Sequence, residues 1–227
     1  MQVRRRLELA SQDVSFLRLK KGRGLWGVHG PVFFGQPRTC RWGACANAMG
    51  RGPIQTMLLT VPFETQHDNA SGSGWRECFS SSAAMLARFW GAVPGDDAYN
   101  RIRIRYGDTT EAAAQVRALR SLGLESHFWT NGRRLDLERE IRGGRPVAVG
   151  WLHRGGVRAP SGGHWSVIVG LDGSHFWMHD PAGEPLLMSG GHIPRSNGRQ
   201  RRCSWLNFLP RWEVEGPRTG WYLTCRR

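Results

Sequence analysis

Apolar positions recur at helical spacing from Cys78 to Trp90, where Met85, Leu86, Phe89 and Trp90 share a face and Gly91 stops the run. Asp96 to Tyr106 predicts a second helix. Asp108 or Thr109 can cap a third, with Val116, Leu119 and Leu122 along one stripe and Gly123 at its end. Leu135 to Arg142 predicts a short helix closed by Gly143 and Gly144. Among these, Glu125 to Thr130 reads as a strand, and Leu58 to Phe63 as an extended segment with Pro62 at an edge. His67 to Gly74 is a polar loop dense in Asn, Ser and Gly.

Beyond Arg145 the period changes. Pro146 to Leu152 and His164 to Leu171 are strand-length apolar runs. A turn at Asp172–Gly173 leads into Ser174 to Asp180, which is a hairpin signal. Trp205 to Leu209 predicts a short helix and Gly220 to Cys225 a closing strand. Helices first and an antiparallel sheet second point to an α+β domain.

Residues 1–56 break this pattern. They are rich in Arg, Gly, Trp and Cys and show no sustained period. They carry 10 Lys or Arg against 2 Asp or Glu, whereas the other 171 residues carry 22 against 16. The net charge of +14 is thus concentrated at the N-terminus. This segment is expected to be a basic, poorly ordered extension contributing no chemistry, with the domain proper running from Met57 to Arg227. As an arm it offers charge to a polyanion such as a nucleic acid, but the smaller excess elsewhere argues against that as the main role. No apolar run approaches the ~20 residues that span a bilayer. The start resembles no secretory signal, so the expected place is the bacterial cytoplasm or, for a phage protein, the virion or lysis machinery. Five cysteines (Cys40, Cys45, Cys78, Cys203 and Cys225) form no zinc-ligand pattern with a second close pair. His175 and His179, on one strand, stand about 13 Å apart and cannot share an ion. No metal or cofactor is expected.

Four residues carry candidate chemistry. Cys78 follows a Gly/Ser loop and opens a helix, where the helix N-terminus favours a thiolate. His164 follows Ser161–Gly162–Gly163 at the head of a strand, placed to face a cleft. Asp180 ends the next strand of the same hairpin, so it returns to the level of His164 and can fix the imidazole. Gln66 lies upstream of Cys78 and, with the Cys78 backbone N–H, can donate to an oxyanion. Each has an ordinary structural reading too: a small buried thiol, a surface-loop His, a turn Asp before proline, a solvated Gln.

Together they resemble papain-like cysteine peptidases, and most closely the bacteriocin-processing branch, cysteine peptidase family 39, with the stand-alone domains related to it in phage genomes. The matching text is Val61-Pro62-Phe63 through Gln66 and Asp68-Asn69, then Glu77-Cys78 with Ser80 to Met85. It continues with Arg145 to Gly150, Gly163-His164-Trp165-Ser166-Val167, Asp180-Pro181, and Arg211-Trp212 to Gly220-Trp221. The resemblance implies a papain-like fold with an N-terminal nucleophile helix followed by an antiparallel sheet. It implies Cys78 as nucleophile, His164 as base, Asp180 as orienter and Gln66 as oxyanion donor. The implied substrate is a peptide or protein, with cell-wall peptide one candidate. Phe79 departs from the family's Gly after the Cys and is expected to narrow the cleft. The same residues also suit acyl transfer or deamidation, and a non-catalytic binding module with a basic arm remains a separate alternative.

Overall fold

The computed structural model describes residues 56–227, so the basic segment assigned to residues 1–56 lies outside the described residues except for Thr56, as do Cys40 and Cys45. The sheet is built from β1 (Met57–Leu58), β2 (Glu125–Gly132), β3 (Val147–Arg154), β4 (Ser161–Asp172), β5 (His175–His179), β6 (Arg201–Ser204) and β7 (Gly220–Arg226). Its order is β2-β7-β3-β4-β5-β6, with β1 added on β4, and every pairing is antiparallel. The helices are α1 (Cys78–Phe89), α2 (Asp96–Arg103), α3 (Ala112–Ser121), α4 (Arg134–Arg142) and α5 (Trp205–Trp212). The α+β architecture expected from the sequence is present. Helices and strands are less cleanly separated than the order along the chain suggests, since β1 precedes α1 while α4 and α5 fall between strands.

Alternation along the central strands assigns their two faces. In β4, Trp165, Val167 and Val169 enter one apolar cluster with Phe79, Ala83, Met85 and Leu86 of α1. Ile168 and Leu171 enter the other, with Leu137 and Ile141 of α4 and Trp205, Phe208 and Trp212 of α5. β3 divides likewise, Ala148 to the first and Val147, Val149 and Trp151 to the second. A sheet buried on both faces explains why β3 and β4 read as nearly continuous apolar runs.

Boundaries moved where local chemistry overrode the pattern. Of the expected extended segment Leu58 to Phe63, only Leu58 falls in a strand, β1, which begins one residue earlier at Met57. The second helix ends at Arg103, and the third is capped at Glu111 rather than at Asp108 or Thr109. Asp108 is engaged elsewhere: its carboxylate accepts from Thr110 N–H at 3.0 Å and from Arg76 at 2.9 Å. The last helix continues through Pro210 to Trp212. Proline removes a donor to the carbonyl one turn back, that of Leu206, and Leu206 is exposed so that water can replace it. Phe79 does not narrow the cleft. It is buried, its ring stacked on Trp165 with centroids 3.7 Å apart.

Candidate active site

Cys78 is the first residue of α1, so its backbone N–H has no partner within the helix. The turn before it is fixed by Glu77, which is buried and accepts from Asn69 Nδ2 at 2.6 Å and from Ser71 Oγ at 2.8 Å. Arg103 of α2 approaches the same carboxylate at 3.8 Å. A short 3-10 turn, Gly74–Arg76, brings the chain against the Gln66 segment, and a Cβ at Gly74 would collide with the Gln66 carbonyl. These contacts set both the start of α1 and the direction of the Cys78 side chain, which is half-buried.

The hairpin supplies the partners. His164 pairs in register with Trp151 of β3, and Asp180 directly follows β5. His164 Nε2–H donates to Asp180 Oδ1 at 2.8 Å, and both side chains are buried. The other ring nitrogen, Nδ1, is not engaged by Asp180, and the Cys78 sulfur is close enough to the ring to favour its charged form. Asp180 is held on every side. Ala182 N–H donates to Oδ1 at 2.9 Å, Ser166 Oγ to Oδ2 at 2.9 Å, and His192 Nε2 to Oδ2 at 3.2 Å. Trp151 Nε1–H donates in turn to Ser166 Oγ at 2.9 Å, which aims the hydroxyl proton at the carboxylate. The Asp180 N–H donates to the Gly198 carbonyl at 3.0 Å, and any Cβ at Gly198 would strike the Asp180 carbonyl.

The electrostatics follow from this packing. Burial opposes a charge on His164, but the Asp180 carboxylate and the Cys78 sulfur outweigh it and raise the imidazole pKa to about 10. Burial also opposes the charge on Asp180, yet His164 and His192 hold its carboxyl well below the usual carboxylate range. Burial, with the positive potential of His164 and His192, pushes His153 down to about 3. Burial pushes the thiols of Cys203 and Cys225 up to about 12. Among the described residues Cys78 is thus the one partly exposed thiol.

Gln66 is buried on a 3-10 turn, and its backbone N–H donates to the carbonyl of Pro181, next to Asp180, at 3.0 Å. Thr65 Oγ1 donates to the same carbonyl at 3.1 Å. The Gln66 side-chain oxygen has no hydrogen-bond partner among the described residues. Gln66 and Asp180 therefore lie on two tied segments, Cys78 on the helix start, and His164 on β4 beside Asp180.

Three partners escaped the sequence reading. Ser166 was within reach of it, since it stands two residues from His164 on the same strand face. Glu77 was quoted but given no role. His192 lies in an irregular segment beyond β5, where no periodicity announces which way a side chain turns. Its ring centroid is 4.8 Å from that of His164 and 5.5 Å from that of His153.

Fold and site together define a papain-like α+β protein of the cysteine-peptidase type. The chain belongs to the Peptidase_C39 like family, whose profile matches residues 58–186. Among solved structures it is similar to a protein described as a C39-like peptidase from Bacillus anthracis, with a TM-score of 0.55 at 14% identity over 76% of this chain and 98% of that one. It also matches a double glycine motif protease from an AMS/PCAT transporter, solved with its leader peptide, with a TM-score of 0.48 and 18% identity over 75% and 94% of the two chains. The peptidase domain of Streptococcus ComA, a bifunctional ABC transporter of a quorum-sensing pathway, gives 0.45 and 19% over 67% and 92%. No curated protein matches the chain. None of the described helices is long and apolar enough to cross a membrane.

Proposed function

We propose that this protein is a cysteine hydrolase that cleaves a peptide or isopeptide bond with Cys78, His164, Asp180 and Gln66. The observation that carries the reading is the buried His164–Asp180 pair at 2.8 Å, with a Cys at a helix start close enough to the ring to favour its charged form. Cys78 Sγ attacks the substrate carbonyl carbon, and the electron pair of the C=O bond moves to oxygen. The Cys78 backbone N–H and the Gln66 side-chain amide donate to that oxyanion. As the tetrahedral intermediate collapses, the C–N bond breaks and His164 Nδ1 gives its proton to the departing amine. Water then attacks the thioester. His164 takes one of its protons and the carboxylic acid is released. Asp180 remains ionised throughout, holding the Nε2 tautomer and compensating the imidazolium.

The test is mass spectrometry after treatment with a peptidyl acyl or vinyl-sulfone probe. The expected adduct is on Cys78 and absent from Cys203 and Cys225, whose thiols burial holds protonated. An unmodified Cys78, or equal labelling of all cysteines, would sink the reading.

A further inference from the structure

Thiol hydrolysis needs one imidazole, and this site has two on a single carboxylate, with the ring of His153 close to both. His164 and His192 direct their Nε2 atoms to opposite oxygens of Asp180, at 2.8 and 3.2 Å. Their ligand atoms and that of Asp180 all lie within 4.8 Å of one another, the one such grouping among the described residues. Two imidazoles and a carboxylate are a donor set that binds zinc and other late first-row divalent ions. Rings that share a tetrahedral ion have centroids about 5 Å apart, given metal–nitrogen bonds of about 2.0–2.1 Å. The His164 and His192 centroids are 4.8 Å apart.

The surroundings are those of a ligand cluster. Ser166 and the Ala182 N–H hold the carboxylate from behind, the outer support that metal-binding side chains require. Trp151 closes one side, its ring 5.6 Å from His164 and 6.5 Å from His192. His192 is the least buried of the three and marks the side from which an ion enters. It also lies beyond the stretch matched by the family profile, which ends at residue 186.

We infer that His164, Asp180 and His192 form a binding site for a divalent transition-metal ion of the zinc type. The ion takes the Nε2 position of each ring: a ring protonated on both nitrogens releases its Nε2 proton to solvent, and a neutral ring carries its one proton on Nδ1 instead. Its effect on turnover rests on the hydrolase reading above. A neutral imidazole bound through Nε2 carries its proton on Nδ1, so the nitrogen facing Cys78 has no lone pair. His164 can then neither accept a proton from water nor return as imidazolium, and hydrolysis stops while the ion is bound. Occupancy would make this an inhibitory site inside the catalytic one.

The experiment is calorimetric titration of the full chain, stripped with a chelator, with Zn2+ alone. His192→Gln should remove one equivalent or weaken it at least on the order of 100-fold, since loss of outer partners already costs 10–100-fold. Cys78→Ser should keep that equivalent. In the His192→Cys variant, bound Co2+ should gain a thiolate charge-transfer band. Three results would overturn the site: no zinc bound by the wild type, His192→Gln binding like wild type, or the equivalent vanishing with Cys78→Ser, which would place the ion on the thiol. Because the readout is binding, the outcome separates from that of the hydrolase reading. A chain that binds zinc but takes no acyl probe keeps the site and loses only its inhibitory role.

Discussion

His164 Nε2 stands 2.8 Å from Asp180 Oδ1 with both groups withdrawn from water, which leaves Nδ1 as the nitrogen that the carboxylate does not engage. A free thiol is ionised to less than about 1% near pH 6. An imidazolium beside Cys78 removes that limit. Alkylation of Cys78 by iodoacetamide at that pH should fall on the order of 100-fold in His164→Ala, measured as the rate of adduct formation. Equal rates in the two proteins would mean that the ring does not activate the sulfur.

Gln66 and His164 are separable by choosing the reagent. Alkylation by iodoacetamide displaces iodide and develops no oxyanion, whereas an acyl probe does. Gln66→Ala should slow acylation of Cys78 about 10²–10³-fold and leave alkylation near the wild-type rate. A parallel loss in both reactions would point to a collapsed helix start instead of a missing donor.

Asp96, buried at the N-terminus of α2, has its pKa raised to about 6 by burial and then by the nearby charges of Glu64 and Asp68. Its unfolded value is 3.8, so the folded state prefers the protonated form. The contribution to stability is complete below 3.8 and is lost as pH rises through about 6. Asp96→Asn should therefore raise the melting free energy on the order of 1–2 kcal/mol above about pH 7 and change little near pH 4. Thermal scans of both proteins across that range check the sign. An advantage confined to acid pH would reverse it.

Arg211 is fully buried and has no carboxylate partner among the described residues, and burial lowers its pKa. Its guanidinium instead donates to the carbonyls of Leu152, Gly155 and Leu187, tying α5 to the end of β3 and to the segment before His192. Arg211→Met should cost at least about 3 kcal/mol, roughly 1 kcal/mol for each orphaned carbonyl. The shift in urea midpoint measures it, and a loss below 1 kcal/mol would show that water reaches these carbonyls.

Legibility in the sequence tracked burial. The paired runs of β3 and β4 and the turn at Asp172–Gly173 were visible because both sheet faces demand apolar residues, and the hairpin they imply is what placed Asp180 beside His164. β6 was invisible. It is an edge strand, Arg201–Ser204, in which only Cys203 is buried, so no alternation marks it. The end of α5 was lost because Pro210 signals a stop that an exposed Leu206 carbonyl does not enforce. His192 and Ser166 join Asp180 through a carboxylate that accepts from four donors. Sequence spacing suggests one such partner but cannot count them.

Pro181 contributes one carbonyl to two donors, the Gln66 N–H and the Thr65 hydroxyl. His67 Nε2 holds the next carbonyl, that of Ala182, at 3.1 Å. The Gln66 segment and the turn behind Asp180 are thereby stitched together, although Thr65 and Pro181 stand 116 positions apart in the chain. Gln66 therefore cannot shift without pulling on the turn that follows Asp180.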